Sequence, residues 1–132
     1  MKPRAVSPIR SARGAAARLA GHRQEIVAAI WLMLKGYRIL GFRLRTPQGE
    51  IDLLAQKGGI LAVVEVKSRA TLEEALECVT YAQRDRLRRA ARAVASRRAS
   101  LRGLSVRLDL IAIAAGRRPR HIANAWNDAD SG

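Results

Sequence analysis

Hydrophobic and polar positions divide the middle of the chain into recognisable elements. Gln24 to Lys35 is apolar almost all round after Glu25, the pattern of a helix buried on most sides, and Gly36 ends it. Tyr37 to Leu44 is a strand candidate. The Thr46-Pro47-Gln48-Gly49 segment that follows is a turn, because proline fixes φ and glycine tolerates a positive one. Glu50 to Gln56 reads as a second strand and Lys57-Gly58-Gly59 as a hairpin turn. Ile60 to Ser68 is a third strand, with Leu and Val on both faces and therefore predicted to be central. Thr71 with Glu74, and Thr80 with Gln83, have capping-box spacing for a helix start, and helix is expected to about Ser100. Ser105 to Ala114 alternates and then turns apolar as a fourth strand. The predicted fold is α/β, in order αβββαβ, with a mixed four-stranded sheet flanked by helices.

The ends depart from this pattern. Residues 1–18 are rich in Arg, Ala, Ser and Pro, lack acids and read as a basic arm, although an organelle transit segment has the same composition. Residues 116–132 read as a polar tail in which Trp126 is the one residue suited to pin it to the domain. The 132 residues suffice for one core, placed at about residues 19–115. Lys and Arg number 25 against 11 Asp and Glu, a formal charge of +14, and 21 of the cations are arginine. That balance predicts a polyanionic partner, nucleic acid ahead of a membrane surface, since the guanidinium fork matches phosphate oxygens. The single cysteine, Cys78, has no partner for an internal disulfide, and no apolar run approaches the roughly 18 residues of a membrane span. The expected compartment is the cytoplasm.

Charges that interrupt the apolar strands carry the candidate chemistry, because an unpaired buried ion costs several kcal/mol. Alternation puts Leu61, Val63, Glu65 and Lys67 on one face of the third strand, and Glu50, Asp52 and Leu54 on one face of the second. A turn at Lys57-Gly58 makes Glu65 the diagonal neighbour of Asp52; a turn at Gly58-Gly59 puts the two directly opposite. Either register brings the carboxylates within roughly 5 to 8 Å at Cβ, and only a one-residue slip parts them. Two like charges so close need a proton or a cation between them, and oxygen ligands favour Mg²⁺ or Mn²⁺ over zinc.

From Arg84 to Arg102 there are eight arginines against one acid, Asp85. Val79, Gln83, Leu87, Ala90 and Val94 form one stripe, so the helix is expected to pack on that side and present cation on the other. Arg84, Arg88 and Arg92 on this helix, with Arg69 after the third strand, are the expected nucleic-acid contacts. Gln83, near the start of the packed stripe, reads equally as a side chain aimed at the site or as a hydrogen-bonded core amide. With five aromatics in all, base stacking is a weaker expectation than contact with duplex or branched backbone.

Taken together, Gln24-Glu25, Gly49-Glu50-Ile51-Asp52, Val64-Glu65-Val66-Lys67-Ser68-Arg69 and Arg107-Leu108-Asp109 resemble the YraN-like family of small uncharacterised bacterial proteins. That family is similar to the PD-(D/E)XK nuclease superfamily, with its restriction-endonuclease-like core, and to the Holliday-junction resolvases within it. The resemblance runs from about Gly21 to Ala114. It implies that Asp52 and Glu65 are metal ligands, that Lys67 polarises the attacking water or the phosphate, and that Glu25 completes the metal site from the first helix. Gln24 and Gln83-Arg84 depart from the usual pattern. Relatives that cut junctions symmetrically act as dimers, so a homodimer is compatible with this reading.

Each residue also has a plainer account. Glu25 suits the first turn of a helix, where the dipole favours an acid; Asp52 suits a strand end; Glu65 and Lys67 could form an exposed ion pair. His22 and His121 lack zinc spacing, Cys78 reads as a packed thiol, and Asp109 as a support for the site or for an arginine. The expected function is Mg²⁺- or Mn²⁺-dependent hydrolysis of DNA phosphodiesters. The alternative is a non-catalytic nucleic-acid-binding protein with a degenerate nuclease fold, and a protein-binding scaffold would leave the carboxylate pair without a role.

Overall fold

A computed structural model describes residues 22–128, so the basic arm expected at residues 1–18 lies outside the described residues. The first helix, α1, is helical from residue 22 to 34 and stops where Gly36 adopts φ 92°. Strands β1 (Arg38–Thr46), β2 (Gly49–Lys57) and β3 (Ile60–Ser68) follow as an antiparallel meander. The predicted turns join them: the Thr46 hydroxyl accepts from the Gln48 and Gly49 amides, and Gly58 takes φ 56° in the hairpin.

Where one long helix was expected there are two, and both predicted caps are used. Thr71 Oγ1 accepts from Glu74 N at the head of α2 (Leu72–Glu77), and Thr80 and Gln83 form a reciprocal capping box on α3 (Tyr81–Arg97). A short 3₁₀ turn, Ala99–Leu101, leads to β4 (Ser105–Ile113), which pairs parallel with β3.

The sheet has five strands rather than the four expected, in order β1-β2-β3-β4-β5 with β3 at its centre. The extra strand, β5 (Arg120–Ile122), comes from the segment read as a polar tail and pairs antiparallel with β4. Trp126 pins that segment as anticipated: it packs against the core clusters that hold Leu108 and Leu110, and its indole N–H donates to Leu76 O at 3.0 Å.

Both sheet faces are covered. Ala28, Ala29 and Leu32 of α1 pack on Leu53, Ala62, Val64, Val66 and Ile111. Leu87, Ala90, Ala91 and Ala95 of α3 pack on Ile51, Leu54, Leu61, Val63 and Leu108. The burial on most sides expected of α1 is corrected, because only its sheet-facing stripe is enclosed, and Ile30, Met33 and Leu34 are exposed among the described residues. No helix among the described residues is long and apolar enough to cross a membrane.

Candidate functional site

The hairpin adopts the second of the two anticipated registers. Lys57 pairs with Ile60 and the ladder runs to Leu53↔Val64, so Asp52 and Glu65 are next in line. There the strands part. The Asp52 carboxylate turns into the gap, accepts the Val66 amide at 3.0 Å through Oδ2, and hydrogen-bonds Glu65. Glu65 and Lys67 share a face of β3 as alternation required, with Lys67 Nζ 3.2 Å from Glu65 Oε1. That face is the one α3 covers, since Leu61 and Val63 pack against the helix.

These placements set the protonation of the pair. Burial pushes the Glu65 carboxyl up to about 7, with the Asp52 charge adding to the rise and the Lys67 ammonium opposing it. Burial also raises Asp52, although the Val66 amide offsets part of that. Burial thus pushes both carboxyls upward while Glu65 and Asp52 stay hydrogen-bonded.

The remaining predicted site residues are distributed less evenly. Glu25 lies near enough for its charge to raise Asp52, yet its own carboxylate is buried against Arg43, whose Nε donates to Oε1 at 2.9 Å. Arg43 reaches it from a left-handed backbone, φ 45°, at the β1 position between the pairs Phe42↔Leu53 and Leu44↔Ile51, and so across from Asp52. Among the described residues no three His, Cys, Asp or Glu side chains form a metal-binding cluster, and Glu25 is turned toward Arg43. Gln83 serves as a cap, its Oε1 accepting from Thr80 N at 2.8 Å. It still borders the site: with Gln48, Gly49, Glu50, Glu65, Arg86 and Leu87 it lines a cleft of about 180 Å³.

Gln48, in the β1–β2 turn, was not singled out by the sequence. Its buried Oε1 has no hydrogen-bond partner, and an orphaned acceptor in a cleft that also holds Glu65 is a position a ligand can satisfy. The residues fit a hard divalent cation in this respect: the donors are carboxylate and amide oxygens, and an ion would offset the repulsion between the two carboxylates. Two carboxylates suffice for Mg²⁺ when water and phosphate oxygens complete its shell.

Two of the predicted nucleic-acid contacts, Arg84 and Arg88, pair with an acid of the chain itself. Arg84 grips Asp128 with Nε at 2.8 Å and Nη2 at 3.0 Å, and buried Arg88 reaches the same carboxylate at 2.8 Å. Both guanidiniums are thus engaged within the fold, and they hold Asp128 down to about 2. Arg92 is exposed on the outer side of α3, and Arg69 is exposed beyond β3 with Nη1 on Ser68 O. Asp109 supports an arginine rather than the site. It is fully buried and takes a two-pronged bond from Arg107, a third from His121 Nε2 and a fourth from the Asn124 amide. Lys35 Nζ donates to Nδ1 of the same imidazole at 2.6 Å, which places the ring proton on Nε2.

Comparison with known proteins adds a family to this geometry. The pattern described as "Uncharacterised protein family UPF0102" matches residues 24–113. A UPF0102 protein of Caulobacter sp. (strain K31) is 67% identical over 129 residues, covering 92% of this chain and 93% of its own. UPF0102 proteins of Paramagnetospirillum magneticum and Rhizobium meliloti are 48% and 46% identical, over 84% and 80% of this chain and 89% and 87% of their own lengths.

Proposed function

This chain belongs to the uncharacterised protein family UPF0102, the YraN-like family of the sequence motifs, and for it we propose divalent-metal-dependent hydrolysis of phosphodiester bonds in DNA. The observation that carries this reading is the pair Asp52 and Glu65, converging from β2 and β3 into hydrogen-bond contact with Lys67 beside them. Asp52 and Glu65 would hold Mg²⁺ or Mn²⁺, which supplies positive charge where phosphoryl oxygens gather negative charge during hydrolysis.

The chain's own groups do the rest. Val66 N–H fixes one Asp52 oxygen, so that carboxylate enters the site pre-oriented. Lys67, anchored on Glu65, neutralises the phosphate or orients the attacking water. Arg86, on the cleft wall with Glu65, is available to a phosphate oxygen. The +14 charge favours association with DNA by long-range attraction.

The Glu25–Arg43 pair favours a second reading, a nucleic-acid-binding protein without turnover, because it leaves the acidic set at two. One assay separates them. Purified protein is incubated with branched, duplex and single-stranded DNA, with and without Mn²⁺, beside Asp52→Asn and Lys67→Ala. Hydrolysis predicts metal-dependent cutting that falls at least about 100-fold in both variants. DNA retained on a gel but never cut supports the binder, and neither outcome supports a scaffold.

A further inference from the structure

The segment that sequence patterning leaves as a tail brings three arginines back to the sheet. β3 and β4 are the parallel pair, ending at Ser68 and Ile113, and beyond their carboxyl ends opens a cleft of about 160 Å³. Arg69, Arg117, Arg118 and Arg120 line it, with Glu73 the one acid among the lining residues. A wider concavity of about 360 Å³ adjoins it, sharing Arg69 and Arg117. All four arginines are exposed. The crevice outside the carboxyl ends of parallel strands is where open α/β sheets receive ligands.

We propose that this arginine cleft binds the phosphate backbone of duplex nucleic acid that extends from the Asp52–Glu65 site. The inference rests on the hydrolytic reading for what happens at that site, but not for the binding itself. Ala112, on the cleft wall, is the β4 partner of Lys67 in the parallel register, and Glu65 pairs with Leu110 two residues earlier. In a parallel ladder partners point to the same face, so the cleft opens one strand away from Lys67 on the side that carries the carboxylates.

Two observations favour duplex backbone at this cleft. The lining contains no aromatic side chain on which a base could stack, which disfavours a single-strand platform. On α3, by contrast, Arg84 and Arg88 are engaged with Asp128 within the fold, whereas all four cleft arginines are exposed. Several guanidiniums facing one acid suit a line of phosphates, each neutralised with release of counterions.

The test measures binding of a fluorescent duplex of about 25 base pairs across a KCl series, without divalent ions, for the full chain and two triple variants. One is Arg117→Gln/Arg118→Gln/Arg120→Gln. The other, Arg97→Gln/Arg98→Gln/Arg102→Gln, makes the same charge change at the far end of α3. The first is expected to reduce the slope of log affinity against log salt by about 2 to 3 and to weaken binding at least about tenfold at 100 mM; the second changes the slope by less than about 1. Equal loss in both variants, or wild-type binding in the first, overturns the cleft. So does loss of binding to phosphatidylserine vesicles with duplex binding retained. Duplex bound through the cleft by a protein that never cuts DNA would sink the hydrolytic reading and leave this one standing.

Discussion

Asp52 and Glu65 crowd two acids into one partly buried space, and removing one of them is expected to relieve the fold while ending the proposed hydrolysis. Asp52→Asn keeps an oxygen for the Val66 amide, so the metal-free melting temperature is expected to equal or exceed that of the wild type. A divalent ion at 100 times its dissociation constant should stabilise the wild type by about 2.7 kcal/mol and leave Asp52→Asn unmoved. A Mn²⁺ titration followed by melting checks both. Asp109 and Asp128 set the acid limit of stability. Burial alone would raise Asp109, but hydrogen bonds from His121, Arg107 and the Asn124 amide hold it below the usual carboxylate range; those from Arg84 and Arg88 hold Asp128 at about 2. Folded values below the unfolded one, about 3.9, mean stability that is fully present above that pH and drains away as acid reaches the folded values. Urea midpoints between pH 7 and pH 2 should therefore fall below about pH 4, and less steeply in Asp128→Asn; an acid limb identical to wild type refutes the assignment. Such residue-scale behaviour was only partly legible. Alternation and the hairpin glycines place Asp52 against Glu65 from local signals. The partner of Arg84 and Arg88 sits some forty residues onward in a stretch without pattern, so no local signal could name it.

Elements tell the same story through their ends. α3 begins where Thr80 and Gln83 cap each other, and its box also holds Gln83 at the cleft that contains Glu65. Thr80→Ala is expected to cost about 1 kcal/mol in urea unfolding, with Leu108→Ala, fully enclosed under the same helix, costing about 2 to 5 kcal/mol. Caps of this kind were readable because they depend on residues three apart. β5 was not: it is three residues long, follows Pro119 and has no alternation to betray it, and it forms only because the β4 edge offers unpaired amides. The exposed side of α1 escaped for a different reason. An apolar residue declares a preference for burial, but the chain does not spell out whether a covering element exists, and Ile30, Met33 and Leu34 have none among the described residues.

At the scale of the whole molecule, charge and topology divide the work. The net +14 makes affinity for any polyanion steeply dependent on salt, and this was visible from composition alone. Which arginines face outward was not, since it follows from Asp128 folding back on α3 and from β5 returning Arg120 to the sheet. One further consequence belongs to the Gly58–Gly59 hairpin. Five paired rungs separate it from the two acids, and it touches neither of them. A single-codon insertion or deletion there that slipped the β2–β3 pairing by one residue would nonetheless turn the β3 side chains to the opposite side of the layer. Such a lesion would abolish the site by remote misalignment while every residue with a chemical role stayed intact, and in a comparison of alleles it would pass for a harmless loop polymorphism.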